Sequence, residues 1–305
     1  MNKTELTRQI RLKAIELGIS SIGFSKSEFL ESEARQYDAW LKNNYHGKMD
    51  YMSRNIDKRL NPGLLVDGAK SVISVIYNYY PEHNLFENEA LKVSRYAYGE
   101  DYHFVLKDKL HELLSFIKEM VGTISARVFT DSAPVLERAW ARRGGLGWIG
   151  KNANLITKQA GSYFFLGEII IDVEFDYDST VTDHCGSCTK CIDACPTDAI
   201  IKPQVVDGSR CISYLTIELK ESLIPEEFNG KLKNWVFGCD ICQEVCPWNR
   251  FALPTSESRF FPIISADLIK SISPDTTDLD FKTLFRLSPI LRSGVSGLLR
   301  NIHAT

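Results

Sequence analysis

Cys185-Gly-Ser-Cys188-Thr-Lys-Cys191-Ile-Asp-Ala-Cys195-Pro196 decides how the second half of this chain folds. A second run, Cys239-Asp-Ile-Cys242-Gln-Glu-Val-Cys246-Pro247, follows it, with Cys211 between the two. Three thiolates on one tight loop can grip three corners of a four-iron cubane. The fourth cysteine, about one helical turn later, points the other way, toward a second cluster. The second run lacks its first cysteine: Val236 stands three positions before Cys239 and cannot ligate iron. Cys211 is the cysteine left to complete the set. The expected partition is Cys185, Cys188, Cys191 and Cys246 on one 4Fe–4S cluster, with Cys195, Cys211, Cys239 and Cys242 on the other. Paired C-x2-C units also bind zinc, but two C-x3-C-P steps with interlocked fourth ligands favour the clusters.

Outside this segment the 305-residue chain has no cysteine. A secreted disulfide scaffold would need a signal peptide, and MNKTELTRQIRLKAIELG has charges throughout and no apolar core. No apolar run approaches the ~20 residues of a membrane span. The expected location is the cytoplasm, with no membrane partner. A net charge of −3 gives no global attraction to nucleic acid, so such a partner would need a local basic surface. Two clusters form an electron wire, and a plain carrier would not need so long a segment ahead of it.

That preceding segment reads as alternating helices and strands. The pattern predicts a helix capped by Thr4 and running to about Gly18, then a strand in ISSIGF and a helix over Glu31–Lys42. Further on it predicts a buried strand over Ser71–Tyr77, an amphipathic helix over Asp101–Val121 and a strand over Ile124–Phe129. A helix over Ala133–Arg143 should end at GGLGWIG, before strands at Asn154–Ile156 and Tyr163–Ile171. The fold class is α+β, in three parts: a catalytic domain over residues 1–178, a two-cluster domain over 179–252 and a short helical segment over 253–305. Gly144–Lys151 lacks the Walker spacing of a phosphate loop. Asp101-Tyr102-His103 begins like a cobalamin motif whose histidine ligates cobalt, but Leu106 stands where that motif requires glycine.

As a set, several motifs closely resemble the epoxyqueuosine reductase family over about residues 1–265. They are Asp57-Lys58-Arg59, Arg95-Tyr96 with Asp101-Tyr102-His103, Thr130-Asp131-Ser132, Gly147–Asn152, the cysteine runs, Cys211-Ile212-Ser213-Tyr214-Leu215-Thr216 and Cys246-Pro247-Trp248-Asn249. The resemblance implies a nitroreductase-like cobalamin-binding domain followed by a ferredoxin-like domain. It implies base-off cobalamin, reduced through the clusters by an external electron donor. The implied reaction turns epoxyqueuosine into queuosine at the wobble base of a tRNA with a GUN-type anticodon, carried out by a monomer. A corrinoid- or flavin-dependent reductase of small molecules, related to reductive dehalogenases, is the alternative. Many family members carry a longer helical-repeat extension than this tail.

By the same resemblance, Asp131 is the proton donor, and burial against the macrocycle should raise its pKa; an N-cap aspartate is the bland alternative. Asp101 and His103 would lie beside the substrate, or merely cap a helix. Arg59, Ser94, Lys151, Asn152, Leu166, Ser213 and Asp240 would contact cobalamin, against readings as surface charge, turn polarity or plain strand core. For tRNA the candidate cations are Lys58 with Arg59, Arg142 with Arg143, and Lys282, Arg286, Arg292 and Arg300.

Overall fold

The computed structural model describes residues 2–305. Its centre is a four-stranded sheet of β1 (Ser21–Lys26), β2 (Ser71–Asn78), β3 (Ala126–Phe129) and β4 (Phe164–Ile171), in the order β1-β2-β4-β3 and antiparallel throughout. Antiparallel sheets often leave one face in water. Here both faces are covered, so β2 and β4 read as almost unbroken apolar runs rather than alternating ones.

Side-chain alternation along β4 divides the core in two. Phe165, Ile169 and Ile171 pack against α1 (Lys3–Glu16) and the helix Tyr102–Val121. Phe164, Leu166 and Ile170 turn the other way, toward Trp140 and Ala141 of the helix Glu137–Arg143. With α2 over Glu31–Lys42, these two helices are α3 and α4. Helix α3 buries Val105, Leu106, Leu110, Leu113, Leu114 and Ile117, a stripe at 3- and 4-residue spacing. Each such side chain contributes about 1.5–3 kcal/mol by leaving water. Gly23 has no room for a side chain: a Cβ there would lie 2.0 Å from the Gly144 carbonyl oxygen, so its absence lets the end of α4 lie on β1.

Two helix starts differ from the sequence expectation. Asn2, not Thr4, caps α1, its side chain accepting from the Glu5 N–H at 2.8 Å. Helix α4 begins at Glu137, four residues after Ala133, because Thr130–Leu136 forms turns after β3. The strand expected from Ile124 begins at Ala126, and the GGLGWIG loop itself holds a short strand, Trp148–Ile149, paired with Leu155–Ile156. The strand over Ser71–Tyr77, the helix over Glu31–Lys42 and the strand ending at Ile171 lie where the pattern puts them.

The cysteine segment is tied to the sheet domain. Strand Trp235–Phe237 pairs in parallel with Lys92–Val93. Val236 is fully buried in that strand, packed in an apolar cluster with Phe237. The C-terminal segment completes a shared core: Phe86, Val93 and Tyr98 meet Val236 and Phe237 with Ile269, Phe281, Phe285 and Leu298. Arg300, on α5 (Gly294–His303), is buried and donates to the carbonyls of Leu215, Leu219 and Glu221, each at 2.8 Å. Among the described residues, no helix is long and apolar enough to cross a membrane.

Candidate active site

Asp131 leaves β3 at φ +50°, in the left-handed region that suits aspartate and asparagine better than most residues. Its position is over-determined. The Thr130 hydroxyl donates to the Leu166 carbonyl at 2.9 Å. The Asp131 N–H donates to the Glu137 carboxylate. The carboxylate of Asp131 accepts from the Tyr102 hydroxyl at 2.5 Å and lies 3.4 Å from His103 Nε2. Helix α4 starts six residues later, so Asp131 does not cap it.

Asp101 caps α3: its Oδ1 accepts from the His103 N–H at 2.9 Å and meets His103 Nδ1 at 2.7 Å. Its capping role and its place beside His103 therefore coexist. His103 bridges two carboxylates. Burial opposes its charge, but the bonds to Asp101 and Asp131 outweigh that and push it up to about 9. The raised pKa expected of Asp131 presupposes a macrocycle against it; the protein's own groups act the other way. Burial favours its neutral form, yet the hydrogen bonds from His103 and Tyr102 win and hold it below the ordinary carboxylate range. Its side chain is still 59% exposed, although burial is the strongest single influence on it.

A second polar group comes from the cysteine segment. Asp240 is fully buried and accepts from the Ser94 hydroxyl, from the Arg95 N–H at 2.9 Å and from the Arg95 guanidinium at 3.1 Å. Burial pushes Asp240 upward despite Arg95. Gly238 (φ +70°) packs on Ser94, where a Cβ would lie 2.5 Å from the serine Cβ. Aromatic rings join the two groups: Phe165 stacks on Tyr102 at 4.2 Å, Tyr102 meets Tyr96 at 6.1 Å, and Tyr96 meets Phe237 at 6.1 Å. Burial first, and then the charge of Asp131, pushes Tyr96 well above its ordinary value.

The other expected residues divide. Lys151 Nζ donates to the carbonyls of Gly186 and Cys188 at 2.8 and 2.9 Å, and Asn152 donates to the Cys242 carbonyl at 3.3 Å. Both therefore brace the cysteine loops. Half-buried Leu166 lies on the α4 side of the sheet. Half-buried Ser213 immediately precedes a π-helical turn, Tyr214–Glu218. Arg59 is buried and donates to the Tyr51 carbonyl at 2.8 Å, which fixes the turn Asp50–Met52. Glu137 completed the site without having been singled out from sequence, and Tyr102 had been read only as part of the Asp101-Tyr102-His103 motif, without a role. Glu137 is six residues from Asp131 across a turn, a separation with no periodic signature.

The eight thiols fall into two neighbourhoods. Cys185, Cys188, Cys191 and Cys246 line one cavity of about 230 Å³ together with Lys151 and Asn152. Burial, and then the charges of Cys246 and Cys185, push the Cys191 thiol up. Around Cys211, burial is again the leading effect, with Cys195 a neighbouring charge; Cys239 likewise feels Cys211 and Cys242 after burial. Among the described residues, no three His, Cys, Asp or Glu side chains converge on a single-ion site. Thiols set around a cavity suit a cubane better than one zinc ion.

Comparison with known proteins follows the same division. Residues 184–249 match the family described as 4Fe-4S double cluster binding domain, and residues 59–132 match epoxyqueuosine reductase QueG. An epoxyqueuosine reductase of Cyclobacterium marinum is 54% identical over 97% of this chain and 96% of its own length. A crystal structure of epoxyqueuosine reductase with an epoxyqueuosine-modified tRNA-Tyr stem loop superposes with a TM-score of 0.89 at 31% identity, covering 99% of this chain and 80% of the other. A Bacillus subtilis epoxyqueuosine reductase, its catalytic aspartate loop swung out of the active site, gives 0.86 at 30% identity over 99% and 81%.

Proposed function

The chain belongs to the epoxyqueuosine reductase family of oxidoreductases, and on that premise we propose how its own residues reduce epoxyqueuosine to queuosine in tRNA. The observation that carries the reading is the join between the two halves: Asp131 with His103 and Tyr102, a proton-handling group, is linked through Tyr96 and Phe237 to the segment that carries the cysteines. The relative solved with a tRNA-Tyr stem loop supports a tRNA with a GUN-type anticodon as substrate.

The clusters take the partition read from spacing, Cys185, Cys188, Cys191 and Cys246 on one and Cys195, Cys211, Cys239 and Cys242 on the other. The two thiol neighbourhoods support it. Cobalamin, base-off, is the group the cleft would hold, within a nitroreductase-like domain over residues 1–178. Asp131, Leu166 and Ser213 would meet it from partly open positions, Ser94 and Asp240 are buried against each other, and Lys151 and Asn152 brace the cysteine loops. Arg59 would act at one remove, through the turn it holds. When bound, the cofactor supplies a cobalt centre that delivers electrons to the epoxide carbon.

The protein's own part is proton handling and positioning. With Asp131 held ionised and His103 charged, the resting proton sits on the imidazole, 3.4 Å from the Asp131 carboxylate. It moves through Asp131 to the departing oxygen, while Asp101 keeps the ring oriented. Tyr102 fixes the carboxylate from the other side and stacks on Phe165, so the acid cannot rotate freely. Electrons enter one at a time from an external donor, and the enzyme works as a monomer.

The test is anaerobic reconstitution with iron, sulfide and cobalamin, followed by turnover on epoxyqueuosine-modified tRNA with nucleoside mass spectrometry. Queuosine should accumulate only when the clusters and cobalamin are both present. Full turnover without cobalamin would overturn the assigned cofactor, and no queuosine under any reconstitution would overturn the function.

A further inference from the structure

Conversion of an epoxide to an alkene removes one oxygen as water. Two C–O bonds break, one C=C π bond forms, two electrons enter and two protons leave with the oxygen. The electrons come from an external one-electron reductant through the clusters. The protons must come through the protein, and a single carboxyl donates only once before it must be reloaded. His103 accounts for one of them.

We propose that Glu137 is a positioning residue that holds Asp131 toward the cleft and stores the second proton of each turnover, returning it to Asp131 after the first has left. The inference rests on the function proposed above. Its geometric basis is direct. The Glu137 carboxylate accepts the Asp131 N–H, so it fixes the backbone of the residue whose side chain faces the substrate. It sits on the first turn of α4, half-buried.

Every element packed around Glu137 bears on its proton. Asp131, on the loop after β3, raises its pKa. The Asp131 N–H, Arg138 beside it on α4 and His103 of α3 lower it. Tyr102 of α3 faces it as a phenol, pushed upward by burial and then by Asp131. Behind it on β4 lies Glu168, fully buried, with neither carboxylate oxygen hydrogen-bonded. Burial and then the charge of Glu137 push Glu168 far above the ordinary range, so it stays neutral and offers no countercharge. Burial leads for Glu137 too, followed by Asp131, and pushes it up to about 8. The carboxyl next to the acid therefore carries a proton at neutral pH, as a store requires.

Glu137→Gln tests this, because glutamine keeps an oxygen for the Asp131 N–H and cannot release a proton. Infrared pH-difference spectra of the cluster-loaded protein without cobalamin should show a protonated-carboxyl band that titrates near pH 8 and vanishes in Glu137→Gln. The same band should survive in Glu168→Gln. On tRNA, Glu137→Gln should turn over about tenfold more slowly or worse. Its alkaline limb should move up toward about 9, where His103 alone governs it. Glu137→Ala, which also loses the backbone contact, should be slower still. Wild-type turnover with an unchanged alkaline limb in Glu137→Gln would overturn the proposal, as would a band unaffected by that substitution. An inactive wild type that still shows the Glu137 band would count against the tRNA reaction and not against the stored proton.

Discussion

Asp131 occupies a backbone angle, φ +50°, that asparagine accepts as readily as aspartate. Asp131→Asn should therefore fold, load both clusters and keep its bond from Tyr102, while losing the carboxylate that relays the proton. Turnover should fall by roughly 10² or more, the usual contribution of a positioned acid. Single-turnover assays on pre-reduced enzyme isolate this step from electron delivery; near-normal epoxide opening there would remove Asp131 from the chemistry. The pH profile follows from the two groups that hold protons beside it. His103, raised to about 9, and Glu137, raised to about 8, are both loaded at neutral pH and empty as pH rises. Turnover should hold on the neutral side and fall between about 8 and 9. Stability has its own sign. The His103 pairing is fully present below the unfolded value of 6.5 and is lost as pH climbs through about 9, so urea midpoints should drop across that window. The sequence pointed to Asp131 and His103 as residues. It gave no sign of the two hydrogen-bond donors from α3 that, within the protein alone, outweigh the burial of the Asp131 carboxylate.

Cluster ligation belongs to short elements, whose spacing is local. Cys211→Ala and Cys195→Ala should degrade the same cluster and leave the other, each lowering iron from about eight toward about four per chain, as two four-iron clusters require. Electron paramagnetic resonance of the reduced variants should show the same surviving signal in both; two different survivors would break the partition. Packing between elements makes a separate prediction. Gly23→Ala would set its Cβ against the Gly144 carbonyl and push the end of α4 off β1. A loss of about 1–3 kcal/mol is expected from such overpacking, readable as a lowered urea midpoint at unchanged slope. Most of these elements were legible, since β2, β4 and α3 carry unambiguous periodicity. The start of α4 was not. Ser132 and Pro134 look like helix-initiation signals, but the Asp131 N–H is taken by Glu137 and the Ser132 N–H by the Thr130 carbonyl at 2.6 Å, so the chain turns for several residues first.

At the scale of the whole molecule, tRNA must be met by local cations on a chain of net charge −3. Tertiary structure reduces the candidates. Arg59 and Arg300 are buried and bound to backbone carbonyls, and Arg143 is paired with Glu28 and Glu33. Lys58, Arg142, Lys282, Arg286 and Arg292 remain exposed, with Arg292 also bonded to Glu218 at 2.7 Å. Binding of an anticodon stem loop should weaken steeply with salt. Replacing an exposed cation that contacts a phosphate should flatten the log–log slope by about 0.7–0.9. Arg300→Ala should leave that slope alone and unfold more easily, because it strands three carbonyls; a flat salt response in the wild type would argue against phosphate contact altogether. The sequence by itself determined the cluster chemistry, the family resemblance and most strands and helices, because these depend on residues close together in the chain or on strict periodicity. Only the tertiary structure decided which charges face the cleft, which proton sits where, and that Glu137 stands behind Asp131. Those properties arise from side chains that distant segments bring within a few ångströms of one another, where burial and hydrogen bonding, not residue identity, set the charge.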